Sequence, residues 1–343
     1  MPSKKERAIS STEHRSSALD WENARIFLEV ARHKSFRAAA AVLDQSVNAV
    51  RRKLEELERQ LHATLVTRHV DGVRLTEEGQ RVLVIVQRME ADAFEVMRAA
   101  NTGGDKARGE VKLAITEGLG SFWVAPRLVQ FARENPDVLV DMHCTMTPAD
   151  VLRLEADVAV QLTRPEQKDV RVVKLGRMHL MVFIAQSLAE REGMPKSAED
   201  ISKHRIVVQA AEQLVSMEEY AKQLGEFSHL KPVMRSNVSS SHYFGIATGL
   251  GIGLLPTYSV AVGVTALPVD IPLRAHQDIW LVYHPDAAKI PRVRKLIDWL
   301  IESFSPQHYP WFADERVHPK DFPKHVPGMP DLKTYDPFFP EKK

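Results

Sequence analysis

Arg51 and Arg52 are adjacent, Asn48 precedes them by one helical turn, and Arg68 and Arg74 follow in a second short segment. A guanidinium pairs with phosphate oxygens or with the O6/N7 edge of guanine, and a carboxamide matches the edge of adenine. Spacings of three and four residues put Asn48, Arg51, Arg52 and Glu55 on one side of a helix. That pattern suits the reading of a nucleic-acid groove and implies no bond-making. Beside Glu55 and Glu56 the same side chains also fit a solvated charged face. Arg68 and Arg74 fit plain surface charge nearly as well.

A second set carries hydroxyls and free backbone amides at the joins between strands and helices. Thr116, Gly118 and Ser121 follow one expected strand, Thr163 and Arg164 follow another, and Ser239, Ser240 and Ser241 precede an expected helix; Gln209 closes a further strand. Such groups suit a carboxylate or a similar anion. Plain N-capping explains Thr116 and Ser121 equally well, and the others also serve as turn residues.

Other chemistry finds little footing. The chain holds no nucleophile–base pair in a persuasive context and no paired acidic motif, so no enzyme activity is expected. The run Gly249-x-Gly-x-Gly253 lacks the spacing and the following acidic residue of a dinucleotide loop. His308, His318 and His325 lack ligand spacing, so neither a metal nor a cofactor is expected. Cys144 is the one cysteine among 343 residues, which excludes an intramolecular disulfide and a Cys-rich zinc site. It sits in an expected strand and reads as a buried packing residue. A net charge of +1 gives no bulk sign of a nucleic-acid partner, so any basic surface must be local. No apolar run approaches the ~18 residues that span a bilayer. Residues 1–18 carry Lys4, Lys5, Arg7 and Arg15 without an apolar stretch and read as a disordered arm, not a secretory signal. A cytoplasmic location with no membrane partner follows as the expectation.

Periodicity indicates the elements that position these groups. A first helix starts near Asp20 and buries Ile26, Phe27, Val30 and Ala31. Ser35 caps a short second helix over 35–43, and a break at 44–46 leads into a third over 47–61. There Val50, Leu54, Leu57 and Leu61 form an apolar stripe opposite the arginines. Two helices joined by so tight a turn are the geometry that lays a recognition helix in the major groove of DNA. Residues 65–75 read as two strands around an Asp71-Gly72 turn, a winged hairpin, and Thr76 caps the next helix. Residues 79–100 form one long helix. Its Val82, Val86, Met89, Ala93 and Val96 recur at heptad-like intervals and predict a dimerisation face rather than packing on their own domain. Asn101-Thr-Gly-Gly104 ends it as a hinge.

Beyond residue 110 the pattern alternates. Strands are expected at 111–115, 138–144, 158–160, 177–184, 206–208 and 279–283, with helices at 126–134, 149–154, 240–249 and 291–303. This order predicts a parallel α/β sheet, or two of them, with ligands at the strand ends and in the cleft between lobes. Residues 305–343 are rich in proline but also in aromatics, which disordered segments usually lack. They are expected to lie extended on the protein surface or to bind a partner.

Residues 19–304 resemble the LysR-type transcriptional regulators. The matching words are Phe27-Leu-Glu-Val-Ala31, Ser35-Phe-Arg-Ala-Ala39, Leu54-Glu-Glu-Leu-Glu58, Leu75-Thr-Glu-Glu-Gly79 and Gly109-Glu-Val-Lys-Leu113. Ala156-Asp-Val-Ala-Val160, Gly249-Leu-Gly-Ile-Gly-Leu-Leu-Pro256 and Leu281-Val-Tyr-His284 continue them. Each word is weak alone, and the order and spacing make them specific. The resemblance implies an N-terminal winged helix-turn-helix, all-α in its framework, a long linker helix that dimerises, and an α/β two-lobed effector domain resembling periplasmic binding proteins. It also implies dimers of dimers.

The chain departs from that family around the third helix. A usual Ser-Gln-Pro-Ala-Leu-Ser-Arg becomes Ser46-Val-Asn-Ala-Val-Arg-Arg52. Asn48 replaces a proline that would preorganise the helix start, Arg51 adds a cation, and His62 stands where glycine often follows. The stretch 143–157 is shorter than usual, which narrows the expected cleft.

The layout that results is an arm at 1–18, a DNA-binding domain at 19–78, a linker helix at 79–100 and a hinge at 101–109. An effector domain follows at 110–304, with one lobe about 110–162 and 268–304 and the other about 163–267, then the tail at 305–343. The roles implied are DNA contact for Ser35, Ser46, Asn48, Arg51, Arg52, Arg68 and Arg74, and effector contact for Thr116, Gly118, Ser121, Thr163, Arg164, Gln209, Ser239 and Ser240. The partners are double-stranded DNA, a small effector with an anion as the leading candidate, a second or fourth copy of the chain, and RNA polymerase as a further candidate. Two alternatives stay open: a regulator that uses its tail on a protein partner without a small effector, and a solute-binding protein built from the α/β half.

Overall fold

The computed structural model describes residues 19–100, 107–211, 213, 231–262, 265–272 and 275–323. The expected arm at 1–18, most of the hinge and the tail beyond residue 323 lie outside the described residues. The chain divides into two compact units, 1–100 and 101–343.

In the first unit, α1 spans Trp21–His33, α2 Phe36–Val42 and α3 Val47–Leu61. Each starts where a short polar side chain satisfies an orphan amide. Asp20 accepts from Glu22 N, Ser35 Oγ from Ala38 N at 3.3 Å and Ser46 Oγ from Ala49 N at 3.1 Å. One core binds the three helices, with Ile26, Phe27, Leu28, Val30, Phe36, Ala39, Val50, Leu54 and Leu57 buried. Leu61, at the end of the expected stripe, is exposed. A hairpin of β1 (Val66–His69) and β2 (Gly72–Leu75) pairs antiparallel with His69 opposite Gly72. Gly72 has φ +126°, and a Cβ there would lie 2.5 Å from Lys34 O, so the turn requires glycine.

Helix α4, Glu77–Ala100, starts two residues earlier than the sequence suggested. Thr76 Oγ1 accepts from Gly79 N at 2.9 Å and donates to Thr64 O at 2.6 Å. Val86 is buried in the core of the first unit, and Val82 packs against that core. Arg32 of α1 also forks onto Glu90. At Val82 and Val86 this differs from the expected dimerisation stripe: a heptad spacing fits intradomain packing as well, and these two side chains are taken by their own core. Of the other stripe residues, Val96 is exposed at 69% and Met89 and Ala93 are half-buried; Ile85, outside the stripe, is exposed at 57%.

In the second unit, β3 is Gly109–Thr116, followed by helical turns from Glu117 that end in α5, Leu128–Glu134. Then come β4 (Val138–Thr145), β5 (Val158–Gln161), β6 (Arg171–Ala185), α6 (Gln186–Glu192), β7 (Arg205–Gln209) and β8 (Lys231–Ser236). Helix α7 (Ser239–Ala247), β9 (Gly253–Pro256), β10 (Ala266–Val269), β11 (Ala275–Tyr283) and α8 (Pro291–Ser303) complete it.

Seven strands form one mixed sheet in the order β10-β6-β11-β5-β3-β4, with β9 also on β6. Only β3–β4 and β3–β5 are parallel within it; β7 and β8 make a separate parallel pair. This corrects the all-parallel expectation. Strand β6 is buried continuously from Met178 to Ala185, the pattern a parallel strand would also show, so burial does not report direction. Its first part pairs antiparallel with β11 and its last part with β9 and β10. The long strand therefore joins two half-cores. Val111, Leu113, Trp123, Phe131, Ile279, Leu281 and Leu300 belong to the first, and Ile184, Leu188, Ile206, Val208 and Ile252 to the second.

Two further expectations are corrected. The helix expected at 149–154 is absent: residues 151–154 form turns, with Leu154 at φ +58°, because Asp150 Oδ1 accepts from Leu152 N at 2.9 Å and competes with a helix. The start of the tail enters the first half-core instead of lying on the surface: Trp311 and Phe312 are buried, their rings 5.6 and 4.9 Å from that of Trp123. Among the described residues no helix is long and apolar enough to cross a membrane.

Candidate nucleic-acid interface and effector cleft

The first two turns of α3 present Asn48 and Arg52 to solvent while Val50 and Leu54 close the opposite face. Ser46, the cap, is exposed beside them, and Ser35 caps α2 half-buried. Arg51 is more enclosed, its guanidinium 5.5 Å from the centroid of the Phe36 ring. Arg68, from the hairpin, lies 5.4 Å from the same ring and pairs with Glu55 at 3.4 Å. Phe36 was missed by sequence reasoning: as a core aromatic it carries no polar signal, yet its ring face holds two cations. Arg74 pairs with Asp71 at 3.3 Å at the hairpin tip. Arg52 makes no ion pair among the described residues.

The sheet half of the chain brings together most of the second set. Thr116 is buried at the end of β3, and its hydroxyl donates to Gln213 Oε1 at 3.2 Å. The same oxygen accepts from Leu162 N at 2.9 Å, and the Gln213 carbonyl accepts from Gln277 Nε2 at 2.7 Å. Next in sequence, Glu117 accepts from Ser240 N at 3.1 Å through Oε2 and from the Ser121 hydroxyl at 3.3 Å through Oε1. Gln209 Nε2 donates to Ser239 Oγ at 2.6 Å. Gly118 faces Ser239, where a Cβ would come within 3.0 Å, and its carbonyl accepts from the Tyr258 hydroxyl at 3.2 Å. Burial, and then the charge of Glu117, hold the Tyr258 phenol well above its ordinary pKa, so it stays a donor.

Thr163 and Arg164 are not part of this group. Thr163 is exposed with its carbonyl accepting from Gln161 Nε2 at 2.6 Å. Arg164 stacks over Trp280 at 5.4 Å and lines an open groove with Glu166, Val170 and Arg171. Cys144 is exposed on β4, which corrects the buried reading. Partial desolvation, then the nearby Glu117 charge, raise its thiol pKa and keep it a poor nucleophile. Glu117, Gln213 and Gln277 were missed. An acidic residue amid the hydroxyl cluster was a legible signal for Glu117; nothing local marked the two glutamines.

Comparison with known proteins meets this geometry at both units. Residues 21–80 match the bacterial regulatory helix-turn-helix protein, lysR family, and residues 104–305 match the LysR substrate binding domain. An HTH-type transcriptional regulator of Xanthomonas campestris pv. campestris is 31% identical over 186 residues, so that match spans 54% of each chain. The glycine cleavage system transcriptional activator of Escherichia coli is 25% identical over 287 residues, 81% of this chain and 91% of its own. The structure of CrgA, a LysR-type transcriptional regulator from Neisseria meningitidis, has a TM-score of 0.51 at 20% identity. It covers 83% of this chain and 98% of its own, a likeness of fold. These relatives are named as regulators of transcription. With a capped helix pair and hairpin within the first matched segment and a seven-stranded mixed sheet between Gly109 and Tyr283 within the second, the chain belongs to the LysR family of transcriptional regulators.

Proposed function

We propose that α3 enters the major groove, where Asn48, Arg51 and Arg52 meet base edges and phosphates. Ser35, Ser46, Arg68 and Arg74 touch the backbone around it. The observation that carries this reading is the exposed Asn48 and the exposed Arg52, which makes no ion pair among the described residues, near the start of a helix whose other face is closed by the core. Arg51 and Arg68, stacked on Phe36, are held in place for phosphate contact.

The layout proposed is a DNA-binding head at 19–78, a linker at 79–100, a hinge at 101–109 and an effector domain from 110 that runs past 304 to include Trp311 and Phe312. Two copies associate through the outer side of α4, where Ile85, Met89 and Val96 are available, and pairs associate into tetramers. A small molecule binds between the two half-cores near Gly118, Ser121, Gln209, Ser239 and Ser240, and shifts the population of protomer arrangements on DNA. The setting is the cytoplasm, and RNA polymerase is the partner of an activating form.

The test is titration of operator DNA with the Arg52→Ala variant. Affinity is expected to fall about tenfold to a hundredfold, with a salt slope lower by about one. Unchanged affinity and slope would remove Arg52 from the interface.

A further inference from the structure

Of the side chains expected to meet an effector, Thr116, Ser121, Gln209 and Ser239 already have a donor or acceptor from the chain itself, and two contacts at this site cross the cleft in opposite directions. Gln213 comes from the second half, four residues beyond the end of β7, and is buried. Its Oε1 reaches the first half at Thr116 Oγ1 and Leu162 N. Glu117 comes from the first half, at the end of β3, and its Oε2 reaches Ser240 N in the first turn of α7. Carboxylate and helix start are complementary, because the amides there have no partner inside the helix.

We infer that Glu117 and Gln213 form a reciprocal latch that holds the two halves of the sheet domain closed over an effector site the chain fills with its own side chains. Thr116 and Glu117 are sequence neighbours, so the two limbs share one anchor: the turn at which β3 ends. Opening the cleft must break both limbs, and loosening one limb frees the strand end that anchors the other. The latch stands on this geometry alone. Its meaning as an autoinhibitory contact rests on the effector reading above.

Hydrogen exchange of the full-length protein tests it without DNA or an effector, so failure of DNA binding would not affect the result. The variant Glu117→Ala removes one limb from a half-buried position. The latch predicts faster exchange, by about tenfold, both at Ser240 and at Leu162, which Glu117 does not touch. The variant Gln213→Met removes the other limb at similar volume and is expected to speed exchange at Ser240. Acetate, tested against chloride at equal ionic strength, is the probe for the empty position. It is expected to slow exchange at both sites in Glu117→Ala and to leave the wild type unchanged. If Gln213→Met does not fold, Leu162 in Glu117→Ala decides alone. Exchange that rises only at the contact each variant removes, or nowhere, overturns the latch.

Discussion

The Glu58 carboxylate near the end of α3 accepts the backbone N–H of Leu65 at 2.6 Å, and the same oxygen accepts from Val66 N at 3.2 Å. One acidic side chain thus fixes where the hairpin leaves the helix it accompanies. Leu65 is fully buried, so its amide has no water to fall back on.

Replacing Glu58 with Ala should therefore destabilise the first unit by about 1–3 kcal/mol, the cost of an unsatisfied buried donor. Denaturant unfolding of the variant measures it. Glu58→Gln, which keeps an acceptor, should recover part of the loss. Equal stability for all three proteins would show that the hairpin is held by its apolar contacts alone.

Trp311 joins the first half-core although it lies past the last long helix. It packs edge-on to Trp123, whose indole N–H donates to Ser303 O at 2.9 Å. Gly176 leaves room for this segment: a Cβ there would lie 2.8 Å from Phe312 O. Trp311→Ala should cost about 3–5 kcal/mol, as large-to-small changes in cores do. A thermal midpoint indistinguishable from that of the wild type would mean the segment only rests on the domain.

His242 is buried on α7, its Nε2 donating to Val207 O at 3.2 Å, and burial holds its pKa down at about 4. The unfolded chain binds that proton near pH 6.5, so between about 6.5 and 4 it carries more protons than the folded one. Stability is then fully present above about pH 6.5 and is lost as pH falls toward 4, by at most about 3 kcal/mol from this group. Thermal midpoints of wild type and His242→Gln across that window should converge as pH drops. A constant difference between them would contradict the assignment.

What the sequence disclosed was local. Ser35 and Ser46 cap their helices, and Val50, Leu54 and Leu57 fill the core, because caps and stripes act within a few residues. Val86 shows the limit: the same spacing serves a dimer seam or an intradomain core, and only the position of α1 decides. The direction of β6 was hidden for a similar reason, since burial on both faces is common to parallel and antiparallel central strands. Cys144 looked buried because its strand does, yet β4 lies at the sheet edge. Gln213 is separated from Thr116 by 97 residues, a pairing that no local pattern carries.

Sequence reading by α3 is decided by footprinting the purified protein on the DNA upstream of its own coding region, at near-physiological salt. Protection of two half-sites about one helical turn apart is expected, lost with Arg52→Ala at the same protein concentration. Diffuse, salt-sensitive coverage with no protected half-sites, identical for both proteins, would contradict a role for α3 in reading DNA.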